Sequence, residues 1–369
     1  MHRLQLHYTF DREPLGHTAR IRNPLIDLLH AVQTSGSISG ASRALALSYR
    51  HVWGELKRWE NELGNELLVW EKGQAARLSE FGNKLLWAER QAQARLSPQI
   101  ETLQADLARA FAVAFDDQVH VLTLMASHDD ALSALRQFAA KEHALQLDIR
   151  FIGSVDAIRA LNEGRCVMAG FHTLGQPVVG SIAQATYKPL LKPGLHKIIG
   201  FARRTQGLML PKGNPLGLSS LADVVHKGAV YVNRALGTGT RVLLDELLAQ
   251  NGIKAQDLCG YDQVEPSHLA VAHAVASGQA MTGLGIEAAA RARGLDFQPL
   301  AVEDYHLVCL KSALTEPAVQ ALCAVLQSTA WHEELRKLPG YQLDATPVSG
   351  RVLSLRQTLP WWRFRTQKN

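Results

Sequence analysis

The nine residues Asn233-Arg234-Ala235-Leu236-Gly237-Thr238-Gly239-Thr240-Arg241 concentrate groups able to hold a small anion. Glycines free the backbone to wrap a ligand. A helix opening at the threonines would aim unpaired N–H groups and a positive dipole end at negative charge. Thr238 and Thr240 add hydroxyl donors, and Arg234 and Arg241 add charge. The Gly-Lys-Ser/Thr ending of a P-loop is missing, so this is not a Walker A segment. Three more corners have the same make-up: Ser127-His128-Asp129, Gly153-Ser154 and Pro266-Ser267-His268. Singly, each serine reads as an N-cap; four corners on one cleft predict a small-anion pocket.

His128-Asp129 and His172 could also act as acid–base groups, but no nucleophile stands in an activating context. Histidines at such corners serve better as hydrogen-bond donors to a ligand, so no catalytic residue is assigned and the chain is expected not to be an enzyme. The four cysteines are scattered without a CxxC pair, and none of the 15 histidines sits in an HExxH pattern. Neither metal nor cofactor is expected.

Corners of this kind need strands that end where helices begin. From about residue 119 the chain alternates accordingly: strands over 119–125, 145–152 and 166–171, with helices over 129–141 and 155–163. Past a loop at 188–196 a second series follows, with strands at 207–210 and 229–233, helices at 240–250 and 267–277, and a small-residue stretch at 281–290. Strands at 297–310 and a helix at 318–335 close it. That texture predicts α/β architecture with mostly parallel sheets, in two halves joined by crossing segments around a cleft.

The front of the chain does something else. Residues 24–63 hold three short helical patterns with tight turns, the second opened by Ser37 and the third by Ser48. This is helix-turn-helix spacing, in which one helix braces on the phosphate backbone and the next enters the major groove. On the third helix Val52, Leu56, Trp59 and Leu63 share a packing face, leaving Arg50, Gly54, Lys57 and Asn61 opposite. Ser48, Tyr49 and Arg50 sit at the end that meets base edges; Arg50 suits guanine, and Lys57 a phosphate or base. Short strands at 67–70 and 75–78 around Lys72-Gly73-Gln74 make a wing, with Lys72 and Arg77 candidates for the flanking backbone. Ser79 then caps a long helix. Its apolar positions Ala92, Leu96, Ile100, Leu103, Leu107 and Phe111 form a seam suited to a second copy, and Pro98 is expected to kink it.

Composition agrees with this division. A chain of 369 residues, 47% hydrophobic and 20% charged, exceeds one ordinary core and is that of a globular protein. Net charge is +5, yet residues 1–115 hold 14 Lys/Arg against 12 Asp/Glu, so DNA affinity must come from a local patch. No signal-like or membrane-spanning run is present, and a cytoplasmic protein without membrane contact is expected.

The run SGSISGASRALALSYRHVWGELKRWENELGNELLVWEKGQAARLSEFG resembles the LysR-like winged helix of ModE-type molybdate-responsive regulators. Gly36-Ser37-Ile38-Ser39, Ser48-Tyr49, Trp53 and Ala76-Arg77-Leu78-Ser79 carry that resemblance, over roughly residues 22–115. The tandem small β-barrels with which that family holds molybdate do not follow. Instead RRTQGLMLPKGNPLGLSSLADVV, VNRALGTGTRVLLDELLAQNGI, EPSHLAVAHAVASG and TGLGIEAAA resemble the periplasmic-binding-protein-like domain related to molybdate-binding proteins, over roughly 125–335. This second resemblance implies site roles for Arg203, Thr205, Asn233, Arg234, Thr238, Thr240, Arg241, Ser267 and His268. Met281 departs from the small polar or acidic residue expected there, which points to a different ligand.

The resulting expectation is an α+β winged helix-turn-helix with a long linker helix, followed by a bilobed α/β periplasmic-binding-protein-like (type 2) domain. Its parts are an N-terminal extension (1–20), the winged helix (21–78), a linker or dimerisation helix (79–116), the bilobed domain (117–345; lobe I 117–200 and 296–345, lobe II 201–295) and a tail (346–369). The DNA-reading residues are Ser37, Ser48, Tyr49, Arg50, Trp53, Lys57, Lys72 and Arg77. Those for the ligand are Ser127, His128, Ser154, His172, Arg203, Thr205, Asn233, Arg234, Thr238, Thr240, Arg241, Ser267 and His268. Together they describe a one-component transcriptional regulator that senses molybdate or tungstate, a molybdenum-cofactor-related ligand, or a small carboxylate such as formate. Its partners are double-stranded DNA, the anion, further copies of itself and RNA polymerase. A solute-binding protein of an oxyanion transporter is the alternative. In the tail, Trp361 and Trp362 are expected to dock on the body, with the basic end solvated.

Overall fold

The computed structural model describes residues 23–70, 75–115, 120–342 and 349–362. The chain forms two compact units, Met1–Ser97 and Pro98–Asn369.

In the first unit α1 (Pro24–Ser35) starts on Asn23, whose side chain accepts the Leu25 N–H at 3.0 Å, and stops at Gly36 in the left-handed region, φ 71°. Ser37 caps α2 (Ile38–Ala44), and Ser48 caps α3 (Tyr49–Leu63). β1 (Leu68–Val69) and β2 (Arg77–Leu78) pair antiparallel as the wing. Ser79 Oγ accepts the Gly82 N–H at 2.9 Å and opens α4 (Glu80–Phe115), which continues through Pro98. Leu29, Val32, Ile38, Val52, Leu56, Leu67 and Leu86 form the buried core. The apolar seam of α4 is largely uncovered in the single chain, with Leu103 50% and Phe111 51% exposed.

The second unit alternates strand and helix: β3 (His120–Ala126), α5 (Asp130–His143), β4 (Leu145–Phe151), α6 (Ser154–Asn162), β5 (Met168–Leu174) and α7 (Ile182–Tyr187). Then comes β6 (His196–Leu210), followed by α8 (Leu221–His226), β7 (Asn233–Arg234), α9 (Gly239–Gln250), β8 (Val264–Glu265), α10 (His268–Ala276), β9 (Gly283–Ile286) and α11 (Glu287–Arg291). β10 (Asp296–Leu310), α12 (Pro317–Gln327), α13 (Thr329–Arg336), β11 (Tyr341–Gln342), β12 (Val352–Ser354) and α14 (Leu355–Thr358) complete it.

The main sheet runs β11-β6-β10-β5-β3-β4, with β12 and β9 also on β6. The expected predominance of parallel pairing is corrected. Among the strands of the described residues only β3 with β4 and β5, and β7 with β8, are parallel, whereas β6 pairs antiparallel with β9, β10, β11 and β12. The cause is the crossing itself. β6 and β10 are each 15 residues long and run through both lobes in opposite directions, so each lobe is built on one end of the same antiparallel pair. Part of the predicted loop at 188–196 and all of 196–206 thus belong to one strand with the segment at 207–210. The helix expected over 318–335 is two, broken at Ser328, whose hydroxyl caps the second by accepting the Trp331 N–H at 3.1 Å.

Lobe I buries Leu124, Leu147, Ile149, Phe201, Leu307 and Trp331 around α5, α12 and α13, with a second cluster beneath α6 that includes Trp361. Lobe II buries Leu208, Tyr231, Leu244 and Leu284, and beside them Val271, Val275 and Ile286. Val242 of α9 joins the lobe I cluster, and the Val155 N–H donates to Gly237 O at 3.2 Å. The lobes therefore meet along the α6–α9 corner.

Candidate anion site and nucleic-acid interface

The N-termini of α6 and α9 abut. A Cβ on Gly153 would lie 2.9 Å from Gly237 O, and one on Gly239 would lie 2.6 Å from His172 Nδ1, so both glycines permit an approach that alanine would not. Around this corner the sequence-predicted residues divide. Ser127 and Ser154 are buried, with hydroxyls 3.3 Å apart. Thr240 accepts from Gln206 Nε2 at 3.2 Å and lies 3.4 Å from His268 Nε2. His172 is buried against Tyr305, ring centroids 3.9 Å apart, and neither of its nitrogens has a hydrogen-bond partner among the described residues. Nε and Nη1 of the buried Arg234, and Nδ1 of His268, are likewise unsatisfied.

Others are occupied elsewhere. Thr238 caps α9, and Ser267 caps α10. Asn233 braces its own loop, donating to Tyr261 O at 3.0 Å and accepting the Arg234 N–H at 2.8 Å. Arg241 turns to Asp245 at 3.4 Å and stacks on Tyr261, 3.9 Å from the ring centroid. His128 pairs with Glu101 of α4 at 3.3 Å, and Ser133 donates to the same carboxylate at 2.9 Å. Arg203 and Thr205 lie half-buried on the opposite face of β6, Arg203 bound to Asp304 at 2.8 Å.

The residues that do face inward from the crossing strands are Arg204, Gln206 and Glu303, which sequence reasoning passed over. Arg204 is 1% exposed and bonds both Asp129 and Glu303. Tyr341 donates to Asp129 at 2.6 Å, and Gln206 donates to Glu303 at 2.9 Å. Burial works against the Arg204 charge, but the Glu303 and Asp129 carboxylates hold its pKa well above the ordinary value. Arg234 has no such support: burial, with Arg204 nearby, lowers its pKa to about 9 despite Glu265. Buried hydroxyls, neutral imidazoles and a guanidinium with two unsatisfied nitrogens thus gather about the crossing strands.

Burial, reinforced by neighbouring arginines, drives the pKa of His172 and His268 well below the usual 6.5; burial likewise drives His306 to about 4. In the unfolded chain these groups take up protons below about pH 6.5, while in the folded protein they stay neutral. They therefore favour folding above that pH, and their contribution falls as the medium is acidified. Each is expected to cost about 1 kcal/mol per pH unit once its unfolded form is charged, until its folded form titrates. Melting temperature measured across this range should drop steeply, and less steeply in His306→Gln; a flat profile would mean the imidazoles are solvated.

On the first unit, Tyr49, Arg50, Trp53 and Gly54 form an exposed strip on α3 beside its cap Ser48, with Val52 and Leu56 buried beneath. Ser37 caps α2 at half exposure, and Arg77 is exposed on the wing. Lys72 lies outside the described residues. Lys57 is not a free cation on the expected reading face. Its ammonium binds Glu60 at 2.6 Å, while the other oxygen of Glu60 accepts the Leu67 and Leu68 N–H groups at 2.8 and 3.1 Å. Burial opposes the Glu60 charge, yet Lys57 and the two amides hold its pKa below the carboxylate norm. A Cβ on Gly54 meets nothing within 4 Å, so internal packing does not require the glycine. Gly54→Ala should raise stability by about 1 kcal/mol and weaken DNA binding. Unchanged affinity in a gel-shift titration would remove the close-approach role. Arg50→Ala should cost roughly 1–3 kcal/mol of sequence-specific binding.

Residues 135–327 match the PBP superfamily domain, and residues 25–83 match the bacterial regulatory helix-turn-helix of the lysR family. The chain belongs to the PBP superfamily, with a LysR-type helix-turn-helix before that domain. It is accordingly a DNA-binding transcriptional regulator of LysR type with a ligand-binding PBP-like domain, not an enzyme. The chain is 32% identical over 224 residues to the uncharacterized protein YvgK of Bacillus subtilis, covering 61% of this chain and 70% of that one. It is 37% identical over 106 residues to an uncharacterized protein in the 5' region of a ferredoxin 2Fe-2S gene of Clostridium pasteurianum, covering 28% of this chain and 94% of that one. Among solved structures it is similar to a hydrogen peroxide-bound OxyR mutant of Corynebacterium glutamicum (15% identity, 86% and 94% coverage, TM-score 0.45). Another is a putative phosphate transporter substrate-binding protein with bound phosphate from Clostridium perfringens (16% identity, 61% and 100% coverage, TM-score 0.46). Among the described residues of the PBP-like regulator, no helix is long and apolar enough to cross a membrane, and no His/Cys/Asp/Glu cluster could hold a metal ion.

Proposed function

We propose that a small oxyanion binds between the lobes at Ser127, Ser154, His172, Arg234, Thr240 and His268, and that its binding controls DNA recognition in a cytoplasmic homodimer or tetramer. The observation that carries this reading is Arg234. A buried guanidinium with two unsatisfied N–H directions is costly unless a ligand completes it. Hydroxyls and helix N-termini at the same corner supply the neutral donors an oxyanion takes. Molybdate or tungstate comes first by the resemblance of the chain to molybdate-binding proteins. A molybdenum-cofactor-related ligand or a small carboxylate such as formate follows.

The corner 127–129 gives binding a route outward. Ser127 lines the pocket, His128 holds Glu101 on the linker helix, and Asp129 holds Arg204 at the crossing strands. Ligand occupancy thereby biases the linker helix, on which copies of the chain associate and position their heads on DNA near RNA polymerase. Thermal-shift measurements with molybdate, tungstate, sulfate, formate and phosphate test the pocket. A ligand at about a hundred times its Kd should add about 2.7 kcal/mol. No shift with any of them at millimolar concentration would overturn the oxyanion reading.

A further inference from the structure

We propose that the anion enters this cleft together with one proton, held between the ligand and Glu303, and that Glu303 thereby sets which anions are accepted. The inference rests on the oxyanion reading and adds its proton stoichiometry. Glu303 stands on β10 opposite Arg204 of β6 and is fully buried. Its Oε1 accepts from Gln206 at 2.9 Å and from Arg204 Nε, while Oε2 has no partner among the described residues. The side chain lines a small cavity with His172 and Gly239 at the start of α9, and Gln206 links it to Thr240 of the proposed anion site. An ionised carboxylate oxygen only accepts hydrogen bonds and would confront the ligand with like charge. A protonated one donates.

The charges facing Glu303 from the surrounding elements make the same point. Arg204 on β6 and Arg234 on β7 supply two positive charges, which Asp129 at the start of α5 and an ionised Glu303 cancel, and Glu265 on β8 beside Arg234 adds a negative one. His172 and His268 are held neutral by burial, and so is the Tyr305 phenol. Glu246 on α9, whose carboxylate accepts the Ile182 and Ala183 N–H groups at 2.7 and 3.2 Å, adds only negative charge. A dianion would leave the pocket strongly negative in a place shut off from water. One proton on Oε2 removes a unit of that charge and turns a repulsive contact into a hydrogen bond. Burial already pushes the Glu303 carboxyl upward, against the pull of Arg204 and Gln206. For molybdate or sulfate, which carry no proton near neutrality, the proton comes from solvent onto Oε2. Hydrogen phosphate brings its own, and its P–OH donates to an ionised Oε2.

Titration calorimetry on the full chain, in buffers of different ionisation enthalpy from about pH 6 to about pH 8, below the Arg234 titration, counts these protons. Molybdate and sulfate should take up close to one proton per anion, and their affinity should fall about tenfold per pH unit above the Glu303 titration. Phosphate near neutrality should bind with little uptake. Glu303→Gln carries a permanent N–H donor and should bind molybdate with an affinity that no longer changes with pH. If that variant does not fold, the proton count of the unmodified protein decides alone. Binding of molybdate or sulfate without proton uptake and without pH dependence would overturn the proposal and leave the oxyanion reading standing. Failure of all three anions at every pH would overturn both.

Discussion

Arg234→Met is expected to raise the melting temperature of the ligand-free protein while abolishing its stabilisation by anions. The guanidinium is 2% exposed, Nε and Nη1 find no partner among the described residues, and its pKa falls to about 9 through burial and the Arg204 charge. A base whose pKa is depressed in the folded state penalises folding wherever it is charged in both states. That penalty is complete at neutrality and is relieved only as pH rises from about 9 towards the ordinary guanidinium range. Methionine keeps much of the length and apolar packing of arginine and carries no charge to desolvate. A gain of roughly 1–4 kcal/mol follows the behaviour of buried ionic groups replaced by apolar ones. Loss of the charged partner should cost an anion at least about 2–5 kcal/mol of binding. Thermal denaturation with and without molybdate reads both effects together. A lower melting temperature in the ligand-free variant would mean that Glu265 already satisfies the guanidinium, and the case for a missing anion would fall.

The division between what the sequence showed and what it hid follows from periodicity. Helix starts are local: Ser37, Ser48, Ser79, Thr238 and Ser267 each cap the helix expected of them, because a hydroxyl bonds an amide two or three residues on. Ser127 and Ser154 also read as caps, but Asp129 caps α5 and α6 has no side-chain cap, so their hydroxyls lie buried 3.3 Å apart instead. Strand faces are not local in this way. In Arg203-Arg204-Thr205-Gln206 every side chain is polar, so no hydrophobic alternation says which pair faces the cleft, and a slip of one residue exchanges the faces. The resemblance points to Arg203 and Thr205, whereas Arg204 and Gln206 are the fully buried pair. Glu303 was hidden because its value comes from a partner 99 positions away on the other crossing strand. Lys57 misleads differently: helical geometry placed it opposite the packing face, but a lysine stem reaches round to the buried Glu60 three residues on.

Arg204→Met should act in the opposite sense to the same substitution at Arg234, although the two arginines share one interior and equal burial. Arg204 holds Asp129 and Glu303 at once, and Tyr341 and Gln206 complete the ring of hydrogen bonds around them. Removing the cation leaves two carboxylates with no countercharge in a medium that cannot solvate them. Breaking a buried pair from one side typically costs about 3–5 kcal/mol, and here two pairs break together. Neutralising the carboxylates by protonation offsets part of that cost, so the variant should recover stability as pH falls, while the unmodified protein, with its neutral buried histidines, loses it. Denaturation at neutral pH and at about pH 5 separates the two trends by sign. Equal losses for the two proteins on acidification would show that the charges around Arg204 reach water. The consequence extends to binding, because Asp129 caps α5 beside Ser127 and Gln206 bridges Glu303 to Thr240 at the mouth of α9. Arg204 is thus the cation that ties the crossing strands to Asp129, whereas under the proposal two nitrogens of Arg234 wait for a ligand, and the opposite signs of two identical substitutions measure that difference directly.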